Sequence, residues 1–176
     1  MTRLDSTLAR LQHWDEQVCL SLNRGVHVRP MLQFFRAVSW LGNGTFWYAL
    51  MLAMLLLEAD RAMLPVMHMV LAGLACTFVY KLLKRGTLRP RPFQRHRQIA
   101  AGALPLDQFS FPSGHTLHAV AFTLVASAYY PGLAAIAVPF TLFVAASRVV
   151  LGLHYPSDVL AGAALGALIA LASFSF

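Results

Sequence analysis

Residues 114–147 read GHTLHAVAFTLVASAYYPGLAAIAVPFTLFVAAS, without one Asp, Glu, Lys or Arg. A helix needs about 20 apolar residues to cross the hydrocarbon core of a bilayer, so this run is too long for a single crossing. It breaks at Tyr130-Pro131-Gly132, a turn signal. The stretch therefore predicts two membrane helices, about 114–130 and 132–148. Outward from it the pattern repeats. Residues 37–57 carry no charge, residues 62–80 carry none although His68 lies among them, and 159–176 form a last uncharged run rich in Ala, Leu and Gly. A buried soluble core would show polar stripes along its helices, and these runs show none. The prediction is an all-α integral membrane bundle of about five transmembrane helices.

Composition agrees. Hydrophobic residues make up 58% of the 176 and charged residues only 12%, against about a quarter charged in an ordinary soluble domain. Disorder, a disulfide scaffold and a nucleic-acid-binding arm are excluded. The two cysteines, Cys19 and Cys76, are expected to be ordinary buried thiols. The unusual feature is the charge that remains: 14 Lys and Arg against 7 acids, a formal net charge of +7.

The N-terminal segment has a different pattern. Leu4, Leu8, Leu11, Val18 and Leu22 recur at helical spacing, with Arg3, Asp5, Arg10, Asp15 and Glu16 between them and Trp14 nearby. This predicts an amphipathic helix within residues 1–30 lying on the membrane surface. Its uncharged core is too short for a secretory signal. Residues 1–176 then form one membrane-embedded domain, with 37–176 the five-span bundle. Gly162 and Gly166 sit four apart among alanines, a pattern for close helix packing inside the bundle.

Polar residues gather in three places: Lys84-Arg85-Gly86-Thr87-Leu88-Arg89-Pro90-Arg91-Pro92 after the second span, Phe111-Pro112-Ser113-Gly114-His115 before the third, and Ser147-Arg148 with His154-Tyr155-Pro156-Ser157-Asp158 between the fourth and fifth. Alternating crossings put all three at one membrane face. Each group alone has an ordinary reading, as a topology signal, a helix cap or a structural histidine. Together they make a chemical inventory. Lys84, Arg91 and Arg148 supply fixed positive charge, and arginine grips phosphate bidentately. Ser113-Gly114 opens a helix, whose free N–H groups bind anions. His154 and Asp158 are four apart, so the carboxylate can reach back and set the imidazole tautomer. His115 can protonate a leaving oxygen. Phosphoryl transfer through a phosphohistidine needs this set.

These residues resemble the motifs of the type 2 phosphatidic acid phosphatases, within the acid phosphatase/vanadium haloperoxidase superfamily: K-x6-R-P, P-S-G-H and S-R-x5-H-x3-D. They stand here as Lys84…Arg91-Pro92, Pro112-Ser113-Gly114-His115 and Ser147-Arg148…His154…Asp158, in order and at the family's spacing. Arg89-Pro90 is a second Arg-Pro, but only Arg91 leaves six residues after Lys84. The resemblance covers about residues 37–176. It implies that His154 attacks phosphorus, that Asp158 orients it and that His115 protonates the leaving group. It further implies that Lys84, Arg91, Ser113, Gly114 and Arg148 hold the phosphoryl oxygens, with no metal or other cofactor. His118, one turn after His115, is expected to pack or support the site.

The implied substrate is a lipid phosphate or pyrophosphate: undecaprenyl pyrophosphate, phosphatidylglycerophosphate, phosphatidic acid or lipid A 1-phosphate. The compact five-span form resembles small bacterial undecaprenyl-pyrophosphate phosphatases most. The expected partners are that lipid and the bilayer, not nucleic acid, with the oligomeric state open. A non-catalytic lipid binder or permease, and a vanadate-dependent haloperoxidase, are the alternatives. Every basic residue except Arg61 falls on the active-site face by this count. The positive-inside rule would put that face in the cytoplasm, whereas the resemblance implies the outer face of a bacterial inner membrane. The external face is preferred because phosphate binding already accounts for several of the charges.

Overall fold

The structure is a computed structural model that describes residues 3–175, with side chains from Asp5 to Ser175. Residues 1, 2 and 176 of the expected unit, and the side chains of Arg3 and Leu4, lie outside the described residues. The regular structure among the described residues is helical: α1 Arg3–Asn23, α2 Arg29–Trp40, α3 Phe46–Glu58, α4 Asp60–Thr87, α5 Pro92–Arg95, α6 Gly114–Tyr129, α7 Ala134–Val150 and α8 Pro156–Ser173. The chain is an integral membrane helical bundle. Among the described residues, four helical segments are long and apolar enough to cross a bilayer: Arg29–Glu58, Asp60–Arg95, Pro131–Val150 and Pro156–Ser173.

The remaining expected span is α6. Its 16 residues give about 24 Å of helix, less than the hydrocarbon thickness of about 30 Å. It can be short because protein surrounds it: Leu117, Ala119, Ala121, Val125 and Ala126 are fully buried against α4, α7 and α8. The first span is longer than the uncharged run suggested. It begins at Arg29 and bends at Asn43-Gly44, where α2 passes into α3. Gly44 has φ 122°, a conformation that favours glycine.

Helices α6 and α8 approach most closely. A methyl group built on Gly162 would lie 2.5 Å from the Ser113 carbonyl oxygen, and one on Gly166 2.3 Å from that of Leu117. The glycine pair thus lets two backbones touch. Trp47, Phe122 and Phe140 fill the core, with ring centroids 5.4 and 5.7 Å from Trp47. At the end away from the polar groups, His68 hydrogen-bonds Tyr129 Oη at 3.0 Å and Ser173 Oγ at 2.7 Å, tying α4 to α6 and α8. Leu56, Leu57, Leu64, Phe78, Leu160 and Leu171 point outward, as lipid-facing residues do.

Helix α1 differs from a helix with a watered polar face. Leu8, Leu11, Trp14 and Leu22 are exposed, while Asp15, Cys19 and Asn23 are buried against the bundle. The acid expected on a solvated stripe is completely enclosed. Asn23 explains part of the docking: its side-chain amide donates to Ala100 O and Val150 O, both at 2.9 Å, and its oxygen accepts from Ala100 N–H at 2.8 Å.

Candidate active site

The end of α4, the start of α6, the end of α7 and the start of α8 meet at one end of the bundle, around a cavity of about 820 Å³. Lys84, Arg91, Gly114, His115, Arg148 and His154 all line it. Arg91 is the N-cap of α5, followed by Pro92 at its first position, which suits a helix start. The Arg91 guanidinium is almost completely buried. Its Nη1 donates to Leu153 O at 2.7 Å and lies 3.2 Å from His154 Nε2. Since arginine can only donate, Nε2 carries the lone pair and the His154 proton sits on Nδ1. That nitrogen faces Asp158 Oδ2 across 3.7 Å. Burial, then the cations Arg148, Arg91 and Lys84, hold the imidazole well below its ordinary titration range, so it is neutral, with its Nε2 lone pair accepting from Arg91 Nη1 at the cavity wall.

Asp158 stands behind His154 with no exposure. Its Oδ2 accepts the Tyr155 N–H at 2.8 Å, capping α8, and its Oδ1 accepts Arg89 Nη1 at 2.6 Å. Arg148, at the end of α7, is buried, donates to Ser39 Oγ and has an Nε without a partner among the described residues. Gly114 is the first residue of α6, and His118 secures it: Nδ1 donates to Gly114 O at 2.8 Å while Thr77 Oγ1 lies 3.0 Å from Nε2. Ser113 sits off the cavity wall. Its hydroxyl pairs with Thr116 Oγ1 at 2.9 Å and its N–H donates to Asp158 O at 3.0 Å, so it joins α6 to α8 at their first turns.

Three residues of this cluster escape a motif-based search. Asp107, on the loop between α5 and α6, accepts Lys84 Nζ at 2.5 Å and Arg91 Nη2 at 2.8 Å. Burial alone would raise its pKa, but these two cations hold it below the usual carboxylate range. Arg89 reaches Asp158 while Arg91 reaches His154. In an extended segment residues two apart share a face, and the Arg-Pro-Arg-Pro repeat was the one available hint. Asp15, from α1, completes the group through Arg89 Nη2 at 2.8 Å. Cys19 also lies close: its thiol donates to His154 O at 3.6 Å, and burial and then Asp15 push it up to about 12.

The lower cavity wall is apolar. Trp47, Met51, Val70, Leu74 and Phe122 continue it between α3 and α4. A cationic pocket with a neutral, carboxylate-backed imidazole thus opens onto a greasy trough.

This arrangement has counterparts. The Bacillus subtilis transmembrane PAP2-type phosphatidylglycerolphosphate phosphatase superposes with a TM-score of 0.72 at 26% identity, over 95% of this chain and 86% of that one. LpxE of Aquifex aeolicus gives 0.74 at 25% identity, over 88% and 93%. In sequence, a lipid A 1-phosphatase of Rhizobium johnstonii is 36% identical over 90 residues, and a decaprenylphosphoryl-5-phosphoribose phosphatase of Mycobacterium tuberculosis 44% identical over 87. Each match covers 49% of this chain but only 37% and 46% of those relatives, so the chain matches less than half their length. The family model described as PAP2 superfamily matches residues 65–176, from within α4 through α8 and across all three polar groups. The chain belongs to the PAP2 superfamily.

Proposed function

We propose that the chain is a metal-independent membrane phosphatase that hydrolyses a lipid phosphate or pyrophosphate through a phosphohistidine at His154. The observation that carries this is the His154 Nε2 lone pair, directed into a cavity where Arg91 approaches it to 3.2 Å and Lys84, Arg148 and His115 share the wall. Lys84, Arg91, Arg148 and the Gly114 N–H bind the phosphoryl oxygens, and their fixed charge stabilises the extra negative charge of the five-coordinate transition state. Ser113 acts from behind, by holding the first turn of α6. Nε2 forms a bond to phosphorus as the bond to the leaving oxygen breaks, and His115 gives that oxygen a proton. Water then attacks the phosphohistidine and returns a proton to His115, the N–P bond breaks, and inorganic phosphate leaves. Asp158 balances the positive charge on the imidazole while it carries the phosphoryl group.

The apolar trough supports a lipid substrate, its headgroup among the cations and its tail along Trp47, Met51 and Leu74. The named activities of the relatives, on lipid A and on a decaprenyl-linked phosphoribose, support the same class. Undecaprenyl pyrophosphate, phosphatidylglycerophosphate, phosphatidic acid and lipid A 1-phosphate form the test panel. Phosphate release is measured from each with EDTA present. One or more lipids should turn over, and His154→Ala should abolish turnover; a variant as active as the wild type removes the mechanism.

Residues 1–176 act as one domain in this proposal, in a bacterial inner membrane with the cavity at the external face. Cysteines introduced near Arg97 test the orientation. Labelling in intact cells is expected, and labelling only after permeabilisation overturns it.

A further inference from the structure

Asp15 has no place in the chemistry above, yet it is fully buried and linked to the site by several hydrogen bonds. Its Oδ1 accepts the Ser157 N–H at 2.9 Å, and its Oδ2 accepts Ser157 Oγ–H at 2.5 Å and Arg89 Nη2 at 2.8 Å. Ser157 is the second residue of α8, so its N–H is one of the donors a helix leaves unpaired at its start. An acid from the first helix thus caps the last. Asp158 caps the same helix through the Tyr155 N–H. Two buried carboxylates share one helix N-terminus, and a single guanidinium joins them. Arg89 gives Nη2 to Asp15, gives Nη1 to Ser157 Oγ at 2.8 Å and to Asp158 Oδ1 at 2.6 Å, and lies 4.1 Å from the centre of the Tyr155 ring.

The division of Asp158 between its partners gives this group a bearing on the reaction. Arg89 holds Oδ1 and the Tyr155 N–H holds Oδ2, the oxygen that faces His154 Nδ1 across 3.7 Å. If Arg89 moved, the carboxylate would keep the Tyr155 N–H but lose its contact on Oδ1, and about its last torsion, a broad one, Oδ2 could turn away from the imidazole. Fastening α1 to the bundle would not require this contact, since Asn23 and Cys19 are already buried there. We propose that Asp15 and Arg89 are positioning residues: Asp15 anchors the Arg89 guanidinium, and Arg89 holds Asp158 in the rotamer that presents Oδ2 to His154. The inference rests on the assignment of His154 and Asp158 as nucleophile and partner.

The test uses the full chain in detergent with phosphatidic acid, or whichever panel lipid turns over. Asp15→Asn keeps shape but removes the charge that holds Arg89. Arg89→Gln attacks the same link from a side chain that is a quarter exposed, and so remains informative if the Asp15 variant does not fold. Rates are referred to folded protein. Each variant is expected to lower kcat at least tenfold with KM changed less than twofold. In an Asp158→Asn background each should lower the residual rate less than twofold further, because no carboxylate is left to orient. Asn23→Ser, which loosens the same helix without touching Asp158, should lower Tm while leaving kcat within twofold. A wild-type kcat in both Asp15→Asn and Arg89→Gln overturns the proposal, as does a loss of equal size with and without Asp158. His154→Ala runs beside them. Turnover in that variant removes the underlying assignment, whereas an inert His154→Ala with a fully active Asp15→Asn and Arg89→Gln sinks the positioning role alone.

Discussion

Replacing Gly162 by Ala tests whether the approach of α8 to α6 sets the geometry of catalysis. The added methyl carbon would lie 2.5 Å from the Ser113 carbonyl oxygen, where ordinary contact begins near 3.4 Å. The obstacle is backbone, so no side chain can swing away, and the helices must part by about 0.9 Å at this point. Gly162 is one turn beyond Asp158, and Ser113 precedes Gly114 and His115. The parting therefore falls between Asp158 and His115, the proposed partner of the nucleophile and the proposed acid. Overpacking of this kind costs about 1–3 kcal/mol of stability, and misplacing reacting groups by about 1 Å can cost about 100-fold in rate. Gly162→Ala should lower kcat about 10- to 100-fold in a lipid-phosphate release assay and lower Tm in a detergent melt. Gly166→Ala, with its methyl 2.3 Å from Leu117 O, should lower Tm at least as much but kcat less, since it is a turn further from the site. Gly132→Ala, with nothing within 4 Å, should be neutral in both. Wild-type kcat and Tm in Gly162→Ala would refute the claim that this contact fixes the site.

Other outcomes follow from single contacts. Asn23→Ala leaves the Ala100 N–H and two carbonyls without their side-chain partner and should cost about 1–3 kcal/mol, read as a drop in Tm. His154, held low by burial and by Arg148, Arg91 and Lys84, should show no NMR titration step near the ordinary histidine value of about 6.5. Its unfolded form takes up a proton below that value while its folded form does not, so this residue's contribution to stability should fall as pH drops below about 6.5; a normal titration step at His154 would contradict the assignment. Asp107→Asn removes an anion that competes for Lys84 and Arg91. Because Asp107 is more than a third exposed, the effect is about 1 kcal/mol or less, or up to about fivefold tighter inhibition by inorganic phosphate. An unchanged inhibition constant would show that the competition is absent.

The spans were legible because an uncharged run of bilayer length is rarely anything but a crossing. The convergence of Lys84, Arg91, His115, Arg148 and His154 followed from counting crossings. The shortness of α6 was hidden, because residues 114–129 are as apolar as any span and only the neighbours reveal that protein, not lipid, surrounds them. Asp15 looked like part of a solvated face, since it sits among Arg10, Glu16 and other polar residues at helical spacing. Its partner Ser157 is 142 positions away, beyond any local pattern. Asp107 lies in an irregular loop with no period to fix where it points. Ser113 stands in its motif, and its hydroxyl lies 2.9 Å from Thr116 Oγ1, three residues on, a local pairing that a motif does not encode.

The capping of α8 by Asp15 also orders events during synthesis. At about 5–20 residues per second, roughly seven to thirty seconds separate the making of residue 15 from that of residue 157. Lys84, Arg91, His115 and Arg148 are added one after another during that interval, before the chain holds Asp158, the carboxylate proposed to back His154. Because the first helix fastens onto the last, the proposed catalytic group is completed in one late step, and a chain that stalls midway carries its basic residues without the proposed nucleophile and its carboxylate.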